Sequence, residues 1–318
     1  IRGYAWPAVL VGMVAQSASL GMQDSWGPLK VLAIASLLSF LGDIFLCTFL
    51  QCGIAGAAWA TTVSQIIGAL LMLRSLHRKG YNPLAIVIPS IEELMQIIRL
   101  SGPVLLTMMS KMAFYTVITY LATSLGAITL AAHQVMIGVY SMCTVSGEPL
   151  AQTAQSFMPD LIYGVNRNIR KAQKLLQSLI IIGTIFGFSL GCLASTMPWF
   201  FPQLFTRDPA ITKQMRGVTA PFFLSLMITP PTLSLEGTLL ATRDLKYFSF
   251  SMVSCFCGGC ILLLLLNNFG FGLVGSWWTL VAFQWARFAL AFLRISSPKS
   301  VMREEFKWFE SKMHFKTV

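Results

Sequence analysis

Charged side chains are scarce in this sequence. Only 11% of its 318 residues are Asp, Glu, Lys or Arg, whereas 55% are apolar, and the mean hydropathy is +0.70. A soluble globular protein carries about 25% charged residues, because its surface must be polar enough to face water. The shortage extends over the whole length, so the composition excludes a soluble globular domain and predicts a membrane protein.

The sequence also lacks the arrangements that catalyse reactions or bind metals. The three histidines are scattered, and no serine or cysteine lies in a recognisable nucleophile context. Three cysteines, Cys255, Cys257 and Cys260, are spaced like the ligands of a metal cluster. On a helix their side chains point at roughly 0°, 200° and 140° around the axis, measured from Cys255, so they do not converge on one ion. We therefore predict no enzyme, no metal and no cofactor. The net charge of +11 lies mostly in loops, which indicates contact with anionic membrane lipid rather than nucleic acid.

Long apolar runs are what the sequence does contain. A membrane-spanning helix needs about 20 mostly apolar residues, and we count nine such runs, at residues 4–21, 31–51, 54–75, 103–124, 128–158, 175–200, 217–241, 248–267 and 272–294. Ser90 and Glu93 spell a capping box before a short amphipathic helix, which we expect to lie in the membrane interface. Residues 76–102 therefore read as a linker between two helix bundles.

Basic residues in the loops orient these spans. One predicted side, formed by residues 22–30, 74–102, 160–174 and 242–247 and the tail from 294, holds 17 Lys and Arg. The opposite side, formed by residues 1–3, 51–53, 125–127, 201–216 and 268–271, holds four. The positive-inside rule places the first side in the cytoplasm or, in a plastid, in the stroma.

Two stretches of the chain resemble each other. Residues 56–65 read GAAWATTVSQ and residues 275–284 read GSWWTLVAFQ, so a glycine, a tryptophan and a glutamine recur 219 residues apart. Upstream, GMQD at 21–24 aligns with ATRD at 241–244, 220 residues apart. Spans one to three therefore resemble spans seven to nine. We interpret this as a six-span repeat, present as half of one copy and all of the next.

The same motifs resemble a known family. LGD at 41–43 followed by GIAGAAWAT at 53–61, QSFMPD at 155–160 and EGTLLATRDLK at 236–246 are similar to segments of MATE (multidrug and toxic compound extrusion) transporters. Their spelling is most similar to the plant plastid-envelope branch, the DETOXIFICATION-type proteins. The resemblance covers essentially the whole chain, as helices four to twelve of a twelve-helix protein.

The resemblance implies an inverted-V transporter with two six-helix lobes, alternately open to either side and driven by a proton or sodium gradient. The corresponding division is a partial first lobe of three helices at 1–75, a linker at 76–102, a complete second lobe at 103–295 and a basic tail at 296–318. The family's first three helices have no counterpart in these residues.

Ionisable groups inside spans are candidate functional sites, because each costs about 2.5–3.5 kcal/mol to insert. Asp43, Glu148 and Glu236 are candidates for proton or cation coupling. The resemblance supports Asp43, since some members carry a coupling aspartate in this Leu-x-Asp motif, although its usual acidic partner lies on a helix absent here. Pro149 cannot donate to the helix ladder and should kink the span, so that the freed carbonyl and the Glu148 carboxylate face one gap. Glu236 follows the Pro230-Pro231 pair in the same arrangement. Desolvation of an unpaired carboxylate would make it a workable proton carrier.

Lys111, Arg287 and Gln16 are candidates for charge pairing or substrate binding. Lys111 stands where several eukaryotic relatives carry a coupling glutamate, which puts a proton site there in doubt. Its depth matches that of Glu148 on the next span, so we expect an ion pair, with a snorkelling lysine as the alternative. Arg287 is an alternative partner that would neutralise Glu236. Gln16 occupies the place of Glu236 in the first copy.

The sequence predicts a secondary active exporter of a small organic, anionic or aromatic solute. Its partners would be that solute, a proton or sodium ion and membrane lipid. It would be a multi-pass protein of the chloroplast envelope, or else of the plasma or vacuolar membrane. Two alternatives stay open: a truncated, non-transporting isoform that acts as a membrane partner or regulator, and a lipid-linked flippase of the same superfamily.

Overall fold

The computed structural model describes residues 1–81, 90–164 and 167–297, and every regular element in these ranges is a helix. The α-helices are α1 (Trp6–Gly21), α2 (Trp26–Ile44), α3 (Gly53–Arg78), α4 (Ile91–Ser124), α5 (Ala127–Val145), α6 (Glu148–Tyr163), α7 (Ile169–Phe200), α8 (Pro209–Gly217), α9 (Thr219–Ala241), α10 (Leu245–Asn268) and α11 (Gly272–Ser296). A π-helical turn at Phe45–Phe49 extends α2. The all-α prediction is confirmed for these ranges.

Fewer helices meet the length and hydropathy expected of a membrane span than the nine predicted. Within the described residues, six stretches are long and apolar enough to cross a membrane, or seven if α8 and α9, which meet at 52°, form one span. Helix α1 has only 16 residues, and polar residues such as Gln284 and Arg287 lower the hydropathy of α11. Neither is among the six, so the nine-span division is not confirmed.

Helix α4 has the cap that the sequence predicted. The Ser90 hydroxyl accepts the N–H of Glu93 at 3.3 Å, and the Glu93 carboxylate accepts the N–H of Ser90 at 2.8 Å. The helix then continues through Pro103 to Ser124 and is not a separate short helix. Pro103 removes only one ladder hydrogen bond, and that loss does not end a helix that is capped upstream and apolar downstream.

The chain forms two compact units, Ile1–Pro89 and Ser90–Val318, which are described separately below. The boundary lies inside the predicted linker at 76–102. Residues 82–89 of that linker and residues 298–318 of the predicted tail lie outside the described ranges. In the first unit, α1 and α2 pack against α3, with a small core around Ala15, Met72 and Leu76.

The second unit is built around α9, which is buried along nearly its whole length between α6, α7 and α11. Close approach of α7 to α9 depends on a row of small residues. A Cβ atom on Gly183 would lie 3.0 Å from the backbone nitrogen of Pro231, and a Cβ on Gly187 would clash with the Met227 carbonyl. Gly183, Gly187 and Gly191 recur every four residues in the sequence, a spacing that predicts a face on which helices approach closely, and the packing confirms this prediction.

The repeated stretches have the same local backbone. Gln23 and Arg243, 220 residues apart, are both left-handed, with φ of 60° and 56°. Gly53 and Gly272, 219 residues apart, begin α3 and α11, each with φ of 54°. Such φ values strain any side chain with a Cβ. The two copies therefore share turn geometry as well as sequence.

The offset changes from 220 to 219 because the first copy contains one extra residue. The Leu50 N–H donates to the Phe45 carbonyl at 3.2 Å, which is a π-type bond spanning five residues. At the equivalent place in α10, the Phe269 N–H donates to the Leu265 carbonyl at 3.1 Å, spanning four. The π turn thus accommodates the extra residue without altering the start of the next helix.

Candidate functional site

A buried ion pair lies at the centre of the second unit. Glu236 on α9 and Arg287 on α11 are 7% and 4% exposed. The Glu236 Oε1 atom lies 2.6 Å from Arg287 Nη2 and accepts a hydrogen bond from Arg287 Nε at 2.8 Å. The Phe283 ring lies 5.4 Å from the guanidinium carbon. This pairing is the alternative in which Arg287 neutralises Glu236, and it allows both charges to remain buried.

The ion pair continues into a network of neutral polar side chains. Arg287 Nη1 donates to the Gln284 Oε1 atom, and Gln284 Nε2 donates to Thr229 Oγ1 at 3.1 Å and to the Tyr140 hydroxyl. Tyr140 and Thr229 are themselves joined at 2.9 Å. The network connects α5, α9 and α11 and satisfies groups that would be costly to bury alone.

Lys111 and Tyr115 of α4 lie beside this network. Gln284 Nε2 is 3.5 Å from the Tyr115 hydroxyl. Lys111, one turn before Tyr115, is half-buried and within electrostatic range of Arg287, Glu236 and Glu148. No ion pair within 4.0 Å joins Lys111 to Glu148, although both residues are described. The pair expected from their similar depths is therefore not formed.

Glu148 has a different means of stabilisation. The chain between α5 and α6 breaks at Ser146 and Gly147, so Glu148 is the first residue of α6 and Pro149 the second. The free N–H groups at a helix start carry a partial positive charge, which favours a carboxylate without a cationic partner. Ala127–Tyr163 remains one apolar stretch that can cross a membrane. The irregularity predicted near Pro149 lies at Ser146 and Gly147, next to the half-buried Glu148 side chain.

Asp43 and Gln16 lie in the first unit. Asp43 lies on α2, two residues before the π turn, and is half-buried. Its Oδ1 atom is buried and has no hydrogen-bond partner among the described residues. A buried polar oxygen without a hydrogen-bond partner is costly, so this atom is a candidate for binding a cation. Gln16 on α1 is also half-buried. The coupling and binding roles of the six candidate residues stay predictions.

Sequence reasoning missed the neutral members of the network. Tyr115, Tyr140 and Thr229 were not singled out, and Gln284 was used only to recognise the repeat. A usable signal was present in their spacing. Tyr115 follows Lys111 by four residues, and Gln284 precedes Arg287 by three, so each lies on the same helix face as a charged candidate.

The described residues contain no group of three or more His, Cys, Asp or Glu side chains that could hold a metal ion. Cys255 is buried whereas Cys257 is exposed, so these neighbouring thiols face different surroundings. The second unit brings together two buried or half-buried acids, of which only Glu236 has an ion-pair partner among the described residues, two cations, and a polar network that joins several helices. This arrangement suits the binding and release of a charged ligand.

Comparison with known sequences shows which proteins this chain is similar to. A family model described as MatE matches residues 103–266, just over half of the chain. The chain is 53% identical over 305 residues to the Arabidopsis thaliana protein DETOXIFICATION 47, chloroplastic, a match that covers 96% of this chain. It spans only 56% of the length of that relative.

Solved structures of MATE transporters have a similar fold. The MATE transporter ClbM in complex with Rb+ has a TM-score of 0.78 and 14% identity, and the alignment covers 94% of this chain and 67% of that one. MATE in complex with MaL6 has a TM-score of 0.77 and 19% identity, covering 91% and 67%. At these identities the likeness concerns the fold alone.

Proposed function

The chain belongs to the MATE family of membrane transporters, and on this basis we propose that it exports a small organic solute by antiport against a proton or sodium gradient. Membership confirms the resemblance that the motifs indicated. Members of the family are transporters, which agrees with the prediction that the chain is not an enzyme. The name of the 53% identical relative supports a location in the chloroplast envelope.

One observation carries the assignment of roles: in the second unit, one acid is neutralised and another is not. Glu236 is held by Arg287, whereas Glu148 has no ion-pair partner among the described residues. A carboxylate that is paired with arginine keeps its charge. We therefore assign the exchangeable proton or cation of this unit to Glu148 and a structural role to the Glu236–Arg287 pair.

Lys111 supplies the site's selectivity for anions in this proposal. Its ammonium group has no hydrogen-bond or ion-pair partner among the described residues, and it lies beside a network whose arginine is already neutralised. A desolvated cation attracts an acidic solute more strongly than one in water. Protonation of Glu148 would then change the charge around Lys111, so that proton binding and solute release are coupled.

Asp43 is the corresponding candidate in the first unit. Its buried Oδ1 atom without a partner supports a second proton or sodium site. In the family's alternating-access cycle, loading of such an acid would favour the return of the empty carrier.

Transport by reconstituted protein tests the proposal. The protein is placed in liposomes loaded with aromatic carboxylic acids, and solute flux is measured with and without an imposed pH or sodium gradient. We expect gradient-dependent flux that Glu148→Gln makes at least tenfold less sensitive to the gradient. Lys111→Met is expected to slow the flux of acids more than that of neutral analogues. Glu92→Gln, an exposed change in the first turn of α4, is the matched control. Equal flux with and without both gradients overturns the proposal.

A further inference from the structure

A groove at one end of the second unit is lined by three basic side chains. It occupies about 930 Å³ between the end of α7 and helix α8, and Arg207, Lys213 and Arg216 line it. Its lining includes no acidic residue. Asp208, the neighbouring acid, caps α8 instead, with Oδ1 accepting the N–H of Ala210 at 2.8 Å. The groove therefore carries a concentrated positive charge.

This concentration is unexpected for its place in the chain. The loops on the same predicted side of the membrane contain only four Lys and Arg in total, and three of them line this groove. Basic residues are generally kept off the side that is translocated. The predicted orientation of the protein in the membrane therefore does not explain these three basic residues, and a local role is needed to account for them.

The three side chains are available to a ligand. Arg207 and Lys213 make no hydrogen bond or ion pair with other described residues. Arg216 Nε donates to the Pro198 carbonyl at 3.1 Å, and its guanidinium carbon lies 5.1 Å from the centre of the Trp199 ring. These contacts hold the guanidinium in place and leave its terminal nitrogens free.

The exposed apolar residues at the rim of the groove are of the kind found in the headgroup region of a membrane. Helix α7 is one of the apolar stretches that can span a bilayer, and it ends at Phe200. Phe200, Phe201 and Leu204 line the groove while 74%, 58% and 76% exposed. Aromatic residues at the end of a span favour the headgroup region. Helix α8 buries Met215 and exposes Lys213, as an interfacial helix does.

We propose that this groove binds the phosphate of an anionic membrane phospholipid. Arg207, Lys213 and Arg216 would contact the phosphate oxygens, for which guanidinium groups provide paired donors. The acyl chains would lie along Phe200, Phe201 and Leu204. A water-soluble phosphate shares the headgroup chemistry but leaves the apolar rim uncovered, so the rim favours the lipid.

Native mass spectrometry of the purified protein tests this site. The protein is titrated in detergent with phosphatidylglycerol, with phosphatidylcholine of the same acyl chains, and with glycerol phosphate as a soluble competitor. The test variants are Arg207→Gln/Lys213→Gln, which keeps the Arg216 contacts, and Lys213→Gln alone, which removes no described contact. The control Lys171→Gln/Lys174→Gln removes the same charge from the other end of α7.

We expect wild type to bind phosphatidylglycerol at least tenfold more tightly than phosphatidylcholine. The double test variant should weaken that binding at least fivefold, Lys213→Gln about twofold, and the control less than either. Equal loss in the control, equal binding of the two lipids, or full displacement by glycerol phosphate at the lipid's own concentration would each overturn the proposal.

Discussion

The hairpin of α2 and α3 in the first unit and that of α10 and α11 in the second share a backbone but differ in charge. Both turns contain a left-handed glycine, and both following helices place a tryptophan outward, with Trp59 47% and Trp278 43% exposed. Where the second copy has Arg287, the first has Gly68, and where the first has Asp43, the second has the buried Leu263. The repeated part is the scaffold.

This difference teaches where functional specificity resides. Turn geometry and helix contacts recur because both copies must form the same hairpin. The charged groups inside the spans, Asp43 and Arg287, do not recur, so folding of the hairpin does not require them. Each unit has instead its own acid, Asp43 in the first and the Glu148 and Glu236 carboxylates in the second, in surroundings that the other unit lacks.

The largest effect should come from separating the charged pair that only the second copy has. Arg287→Met leaves the Glu236 carboxylate buried without a partner, which should lower the free energy of unfolding by about 3–5 kcal/mol. The double variant Arg287→Met/Glu236→Met should regain most of the lost free energy of unfolding, because it no longer buries an unpaired charge. Unfolding in detergent is followed by size-exclusion chromatography after heating. Gln16→Met, the first-copy counterpart, is the control and should change little. A double variant as unstable as the single one would contradict a compensated pair.

Substituting the shared buried glycines should affect both copies, but unequally. A Cβ on Gly275 would lie 2.7 Å from the Phe271 Cβ, whereas one on Gly56 would lie 3.0 Å from the Cys52 Cβ. We expect Gly275→Ala to destabilise by about 1–3 kcal/mol, as overpacking does, and Gly56→Ala by less. The readout is the midpoint of thermal unfolding. Gly258→Ala, with open space around it in α10, should be neutral or stabilising, and a loss there equal to that at Gly275 would refute the steric explanation.

Substituting the left-handed glycines tests whether the two turns are equivalent, because the same substitution should then have the same effect on stability in each. Gly53→Ala and Gly272→Ala each force a Cβ into the same φ of 54°, at a cost of about 1–2 kcal/mol. Because the backbone conformations are equal, the two variants should shift the unfolding midpoint by similar amounts. Gly21→Ala, which is helical and unobstructed, is the reference. Clearly unequal shifts would show that the two turns are not equivalent in solution.

The smallest effect concerns the ion pairs beside the first turn of each copy. Asp24 pairs with Lys79, and Asp244 lies 2.5 Å from Arg294. Partly exposed pairs contribute about 0–1 kcal/mol, so Asp24→Asn and Asp244→Asn should each cost no more than that at pH 7.

The Asp24 pair also predicts a pH dependence. The hydrogen bond from Lys79, and then that from the Gly27 N–H, hold the pKa of Asp24 below its usual 3.8. A lowered pKa in the folded state stabilises the protein above the unfolded-state pKa, and the stabilisation is lost as the pH falls through the folded-state value. The difference in melting temperature between wild type and Asp24→Asn should therefore begin to shrink as the pH falls below about 4 and disappear only below the lower, folded-state pKa. A difference that persists unchanged at lower pH would refute the role of the carboxylate.

The sequence predicted those features that depend on local pattern. Apolar runs indicated the helices, Ser90 and Glu93 indicated a cap, and spacing of four indicated the glycine face of α7. It also offered Arg287 as a partner for Glu236. The irregularity before Glu148 was predicted as a kink, because a proline removes a ladder hydrogen bond. The sequence did not indicate that the irregularity lies at Ser146 and Gly147.

Features that depend on three-dimensional packing were beyond the sequence. Depth along two helices suggested a Lys111–Glu148 pair, but depth does not specify the rotation of each helix about its axis. Tyr140 and Thr229 meet because α5 and α9 pack side by side, and nothing in either segment alone indicates that contact. The π turn could have been inferred, since an offset that changes by one residue requires an insertion in one copy.

The wide turn at Phe45–Phe49 has a consequence for how such proteins change over time. An added residue in a regular helix turns every later side chain by about 100° and would point lipid-facing groups inward. Here the extra residue is contained within one wide turn of the helix, so Gly53 and the residues after it keep the orientation of their counterparts in the second copy. An insertion within a membrane span can thus be tolerated. It also places a π turn directly after Asp43, whereas the aligned residue of the second copy, Leu263, is followed by a regular helix.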